Sequence, residues 1–190
     1  MSPIRKIICL IKKPASRLTS IITNNTGVSA IEFALIAPFL LLLLFGGTEL
    51  LQGILISRQV TLAATTVANI VTQYTSISSS NQMPDVLDAS AQIFAPNPSS
   101  NATIVVSLVT IDGSGKAAVT WSQTLNGTAR ATGQSITVPA SLDIPNTALI
   151  YSEATYAYTP IFDFMHLGTF NMYDSIFMGP REATTINLTP

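Results

Sequence analysis

The chain has 190 residues, nine basic and ten acidic, for a formal net charge of -1. That length holds a membrane helix and one modest domain, and with no basic patch beyond the first 26 residues it excludes a nucleic-acid-binding protein. Charged residues make up only 10%, against roughly 25% in a typical soluble domain; Ser, Thr, Asn and Gln replace them, which suits an extracytoplasmic surface or a subunit packed among others.

Met1–Thr26 carries Arg5, Lys6, Lys12, Lys13 and Arg17, five of the nine basic residues, and no acid. This asymmetry predicts an N-terminus held in the cytoplasm and a long C-terminal part outside. Ile7–Ile11 is apolar but too short to span before Lys12 and Lys13. Cys9 is the sole cysteine, so the outer part must fold without a disulfide.

Gly27–Leu51 is the dominant stretch. Phe33–Gly47 holds no charge, yet its fifteen residues cover only about 22 Å, short of the roughly 30 Å hydrocarbon core. Val28–Thr48 reaches about 31 Å only by including Glu32. A carboxylate there is costly unless it lies near the interface, is neutralised or meets a cation. Glu49 brackets the other end. Pro38 inside the run is tolerated in a membrane helix where neighbouring groups re-satisfy the backbone. Gly46-Gly47 adds a soft point without the spacing of a Gly-x-x-x-Gly face. Gly46-Gly47-Thr48-Glu49 is also a poor cleavage motif for an ordinary secretory signal.

Gly27-Val28-Ser29-Ala30-Ile31-Glu32-Phe33 resembles the processing site of type IV pilin-like proteins. More broadly, Gly27 to Leu50, with its AIEFAL run, Pro38, leucine run, Phe45-Gly46 and Glu49-Leu50, resembles the TadE/TadG-like family of tight-adherence (Flp) pilus systems. The resemblance implies that a membrane prepilin peptidase cuts between Gly27 and Val28. Glu32 then becomes the fifth residue of the mature chain, placed to face the new amine of an adjacent processed subunit, and Glu49 is a second assembly position. It also implies other pilin-like subunits, the inner-membrane pilus assembly machinery and membrane lipid as partners, and no cofactor. Family members usually have a glycine soon after the glutamate corresponding to Glu49; here Leu51-Gln52 comes first and Gly53 follows. An uncleaved anchor stands beside the processed form.

Beyond Gly53, Ile56, Val60, Ala63, Val67, Ile70 and Tyr74 recur at steps of four and three. They predict that the helix continues with one apolar stripe, opposite Gln59, Thr66, Asn69 and Gln73. Threonines lower helix propensity, so this helix needs packing on a domain or a neighbour. Ser57–Asn69 resembles the post-membrane part of many TadE-like chains. Ser76–Gln82 is expected to end the helix. Pro84 opens a second, short helix with Asp85 and Asp88 at its positive end, Leu87, Ala91 and Phe94 on one face, and Pro96 and Pro98 as its stop.

The remainder reads mostly as sheet. Ala102–Ile111 is rich in β-branched residues, Asp112-Gly113-Ser114-Gly115 is a turn, and Ala117–Ser122 alternates, predicting a hairpin with Trp121 in the core. Gln134–Val138 is a further short strand. Ala148–Tyr158 is the second long strand, with Ser152, Ala154, Tyr156 and Tyr158 on one face and Tyr151, Glu153 and Thr155 on the other. With Thr159–Phe162 it resembles the closing strand of TadE-like periplasmic domains. Ile161–Met178, rich in aromatics and methionine, is expected to pack over the sheet or lie flat at the outer leaflet rather than to span, with core or subunit contact favoured. His166 with Asp163 and Asp174 matches no standard zinc spacing.

No His-Glu-x-x-His, Gly-x-Ser-x-Gly or phosphate-binding loop is present, so neither an enzyme nor a metal site is expected. Asn101, Asn126 and Asn187 open Asn-x-Ser/Thr triplets, common by chance in so Ser/Thr-rich a chain. The expected fold is α+β and pilin-like: one N-terminal transmembrane helix extending into an outer domain with an antiparallel sheet. The expected organisation is a basic cytoplasmic leader (1–27), a transmembrane helix (28–51), an extramembrane helix extension (52–82) and a periplasmic α+β domain (83–190), in a single-pass inner-membrane protein. The reading is a minor pilin or pseudopilin-like component of pilus assembly. Its alternatives are an anchored periplasmic enzyme or solute-binding domain, and a structural envelope protein outside any pilus.

Overall fold

A computed structural model describes residues 26–161 and 168–190. The basic leader with Cys9, and Asp163 and His166 of the aromatic-rich stretch, lie outside the described residues. Two compact units divide the chain, one ending at Thr48 and the other running Glu49–Pro190.

Helix α1, Thr26–Val71, contributes to both units and keeps Pro38 within it. In the first unit its apolar side chains are exposed on every side, from Val28 and Ile31 through the leucine run to Leu44. A helix that is apolar all round belongs in lipid or among other helices, and α1 is long and apolar enough to cross a membrane. Near the paired glycines Thr48 Oγ1 donates back to the Phe45 carbonyl at 2.8 Å.

In the second unit, α1 turns one face to a sheet. Ile56, Val60, Ala63 and Val67 are buried, as their spacing predicts, and Ala64, Ala68 and Val71 widen the stripe. Ile70 and Tyr74 are only half-buried beside it. Each fully buried valine or isoleucine contributes roughly 1.5–3 kcal/mol relative to exposure, which offsets the weak helix propensity of Thr61, Thr65 and Thr66. Thr65 also satisfies its hydroxyl on the Thr61 carbonyl one turn back, and the Thr61 hydroxyl donates to Asp174 of the sheet.

The strands are β1 (Ser76–Ser78), β2 (Ala102–Ile111), β3 (Ala117–Leu125), β4 (Thr147–Tyr158), β5 (Phe170–Met178) and β6 (Asn187–Thr189). Strands β2 to β5 form one antiparallel sheet in the order β3-β2-β4-β5. Ala102, Ile104, Val106 and Leu108 of β2, with Ala148, Ile150, Ala154 and Tyr156 of β4, form the helix-side core. Helix α2 (Gln82–Ala91) and the single turn after it close this core with Met83, Val86, Leu87 and Phe94. Phe94 stacks on Tyr156 at 4.8 Å between centroids. Trp121 is buried as expected, and its Nε1 donates to the Ile186 carbonyl at 2.8 Å. The opposite face carries a smaller cluster, Val109, Ile111, Ala117, Leu149 and Tyr151, partly covered by Ile136, Val138 and Leu142. The two faces of β4 divide as its alternation predicts.

Four expectations are corrected. α1 ends at Val71, and the Ser76–Gln82 stretch is more than a terminator: β1 pairs in parallel with β6, a long-range partner that local composition does not announce. Gln134–Val138 is no strand; it makes a single bridge, Ala118 with Ser135, and its apolar residues cap the second cluster instead. β4 does not close the sheet but lies between β2 and β5. The described second half of the aromatic-rich stretch is itself an edge strand, β5, rather than a layer over the sheet, and the core contact favoured for it is present: Met172, Ile176 and Met178 pack against the helix-side core.

Candidate functional site

The candidate residues fall into two places. Gly27, Val28 and Glu32 sit on the first turns of α1 and are exposed. A Cβ built on Gly27 would meet nothing within 4 Å, and the same holds at Gly46 and Gly47. Helix-interior glycine, as at Gly46 and Gly47, costs about 1 kcal/mol relative to alanine, and among the described residues no packing contact requires glycine at any of the three.

Glu49 stands apart from Glu32. It opens the outer unit and is already engaged there. The Tyr158 hydroxyl donates to its Oε2 at 2.5 Å, and the Ile161 backbone N–H donates to its Oε1 at 3.0 Å. The resemblance gave Glu49 an assembly role; the structure gives it partners at the end of β4. Burial, then the neighbouring carboxylate, push the Tyr158 hydroxyl up to about 12.

A second cluster was not singled out from the sequence. On the sheet face opposite α1, Arg130 reaches Glu153 with two parallel bonds, Nε to Oε2 and Nη2 to Oε1, both 2.6 Å. Tyr173 and Tyr151 hydroxyls donate to the same carboxylate at 2.9 and 3.2 Å. Arg130 N–H donates to Ser122 Oγ, which also accepts from Ser107 Oγ, so backbone and side chain both hold this loop to the sheet. The guanidinium lies 5.4 Å from the Tyr151 ring centre. The only available sequence signal was the outward-facing Tyr151-x-Glu153 pattern on β4; its cation comes from a loop more than twenty residues away.

This cluster lines an open cleft of about 330 Å³ with Thr103, Val105, Thr155 and Gln134. Burial pushes Glu153 up, but the Arg130 guanidinium and the Tyr173 hydroxyl outweigh it and hold the carboxyl below its ordinary value. A carboxylate with four donors and a depressed pKa is a structural clamp, not a proton shuttle near neutrality. Among the described residues no group of three or more His, Cys, Asp or Glu is placed to hold a metal ion.

The family model described as TadE-like protein matches residues 27–69. The match begins at the candidate junction and ends within α1, before any strand. No curated protein and no solved structure matches the chain.

Proposed function

We propose, from the premise that residues 27–69 make this a TadE-like chain, that it is a minor pilin or pseudopilin-like subunit of a tight-adherence pilus system. In this reading the leader is removed between Gly27 and Val28 by a prepilin peptidase, and α1 from Val28 to about Leu51 anchors the mature chain in the inner membrane. The helix extension and the α+β domain then lie in the periplasm. The work is mechanical: a closed outer domain carried on a helix offered for lateral packing with other pilin-like subunits and the assembly machinery.

One observation carries the reading. The apolar surface of α1 is exposed from the Gly27-Val28 junction onward, while the outer unit buries a complete core of its own. A lipid phase or neighbouring helices must cover the first, whereas the second packs its stretch of helix against its own sheet. Glu32 fits the same picture. In an apolar surround its carboxylate is costly unless it lies near the interface, is neutralised or meets a cation, and a new amine on Val28 of a neighbour would supply the cation.

The test is the mature N-terminus of protein taken from assembled material in cells containing the cognate prepilin peptidase. The expected sequence begins at Val28, and Gly27→Trp should block the cut while leaving membrane insertion intact. An intact Met1–Thr26 leader on functional, assembled protein would overturn the processed-pilin mechanism.

A further inference from the structure

The outer unit begins at Glu49, directly where the chain leaves the apolar run. On the membrane-span reading, the chain passes from the bilayer into this unit at Glu49. Ile161 N–H bonds to Glu49, so the end of β4 lies at this helix turn. Tyr158, bonded to the same carboxylate, is paired with Phe170 in the β4–β5 register. One turn on, Met172 Cε lies 3.6 Å from the position a Cβ on Gly53 would take.

Around this end the unit exposes Leu50, Leu51, Ile54, Leu55, Ile161 and Phe170, with Ile161 80% exposed. These are not spare core residues. On the same helix turns Ile56 and Val60 already fill the core side. Farther along the outward face comes Arg58, four residues after Ile54 and three after Leu55. It is exposed and forms no ion pair among the described residues, and it shares a cleft with Gln52, Gln59 and Asn97 and with the apolar Leu55, Leu62 and Pro96. The order along the helix is four exposed apolar side chains, then a cation about 4.5–6 Å on, with the single exposed Leu62 one turn beyond it.

We propose that this rim docks the outer unit into the headgroup–acyl boundary of the leaflet facing it, with Arg58 on lipid phosphate. The occupant is the bilayer, because the rim adjoins the residue at which the chain leaves the apolar run and because apolar contacts followed by arginine match the acyl-to-phosphate order of a leaflet. Glu49 is compatible with that depth because its carboxylate accepts from Tyr158 and Ile161. The inference rests on the membrane-span reading above.

The test uses the full chain with Cys9→Ser and single nitroxide-labelled cysteines at Leu41, Ser114, Ile161 or Phe170, in phosphatidylcholine vesicles with and without phosphatidylglycerol. Accessibility to oxygen against a water-soluble nickel chelate reads the depth. Labels at Ile161 and Phe170 should lie about 5–10 Å into the headgroup–acyl boundary, Leu41 deeper, and Ser114, at the opposite end of the sheet, in water. Arg58→Gln should remove any deepening that phosphatidylglycerol produces. Ile161 and Phe170 labels in water with Leu41 in lipid would overturn the rim and leave the span standing. A Leu41 label outside lipid would overturn the span and the rim with it. Protection of Ile161 and Phe170 that disappears on dilution of protein in lipid would make a second copy the occupant and overturn the proposal.

Discussion

The Tyr158 hydroxyl and the Glu49 carboxylate, 109 residues apart in sequence, meet at 2.5 Å. The bond ties the last residue of β4 to the helical turn at which the outer unit begins. It uses the carboxylate's negative charge, and the Ile161 amide takes the other oxygen.

Tyr158→Phe removes one donor from a charged acceptor and should cost about 1–2 kcal/mol. The variant also tests an alkaline window. The folded hydroxyl is raised from 10.0 to about 12, so the folded state holds its proton longer than the unfolded one. Its stabilisation is complete below pH 10 and is lost as pH rises from 10 to about 12. Thermal melts of the full chain in detergent, followed by the emission of its single tryptophan, Trp121, should fall less steeply between pH 10 and about 12 in the variant. Tyr173 is raised too, by burial first, so some slope remains. An unchanged slope would remove Tyr158 from the account.

The helix face is tested by a pair of aspartates. Val67 is fully buried, whereas Asn69, two residues on, is exposed. Val67→Asp loses packing and buries a carboxylate, costing about 3 kcal/mol or more. Asn69→Asp should stay within about 0.5 kcal/mol. Thr66 is the poorer control because the structure half-buries it. Equal tolerance of both aspartates in folded protein would reject the face.

Much of this was legible because it is local. The 3.6-residue stripe from Ile56 to Val67 reports burial directly, and the β-branched run of β2 with the Asp112–Gly115 turn gives the hairpin. What failed was long-range. β1 is three residues of Ser-Ile-Ser whose only strand signal is its partner β6, with Ile77 paired to Leu188 more than a hundred residues on. Ile136 and Val138 look like strand residues because they are buried on one side, but they cap a cluster without joining a ladder. Asp174 read as an interruption in an apolar stretch. In the structure it accepts from Thr61 of α1 and from the adjacent Ser175 N–H on β5, so a charge that argues against a membrane segment suits a sheet edge. For the candidate site, the sequence pointed to Gly27, Glu32 and Glu49 but not to Glu49's partners. The Arg130–Glu153 clamp joins a loop to a strand and has no periodicity to reveal it.

That clamp predicts an acid-side loss. Glu153 is held below its ordinary 4.5, so the unfolded chain takes up its proton first as pH falls. The stabilisation is present above about pH 4.5 and is lost as pH drops further through the folded value. Glu153→Gln should flatten that part of the stability profile. Arg130→Met leaves a half-satisfied carboxylate and should cost about 1–3 kcal/mol at neutral pH. A profile below pH 4.5 that is identical in wild type and Glu153→Gln would reject the clamp as a contributor.

Topology follows from the distribution of charge. With five of nine basic residues before Gly27, the N-terminus should remain inside. Reporter fusions after Gln73 and at Pro190 should both report the extracytoplasmic side. A cytoplasmic signal at Pro190 alone would reopen the 161–178 region as a second crossing.

Glu32 is the sharpest test of assembly. It lies one helical turn beyond Val28 on an exposed part of α1, so its own fold should tolerate Glu32→Gln with little change. If it pairs with the Val28 amine of a neighbour, the variant leaves that amine uncompensated in apolar surroundings. Breaking such a pair costs about 3 kcal/mol, enough to lower incorporation by tenfold or more. Insertion, read by membrane fractionation, should be unchanged, and leader removal must be followed in the same samples so that a processing defect is not mistaken for an assembly defect. Glu32→Asp keeps the charge and should recover part of the loss. Wild-type incorporation of fully processed Glu32→Gln protein would show that the carboxylate is not an assembly contact and would leave its place at the membrane boundary as its only role.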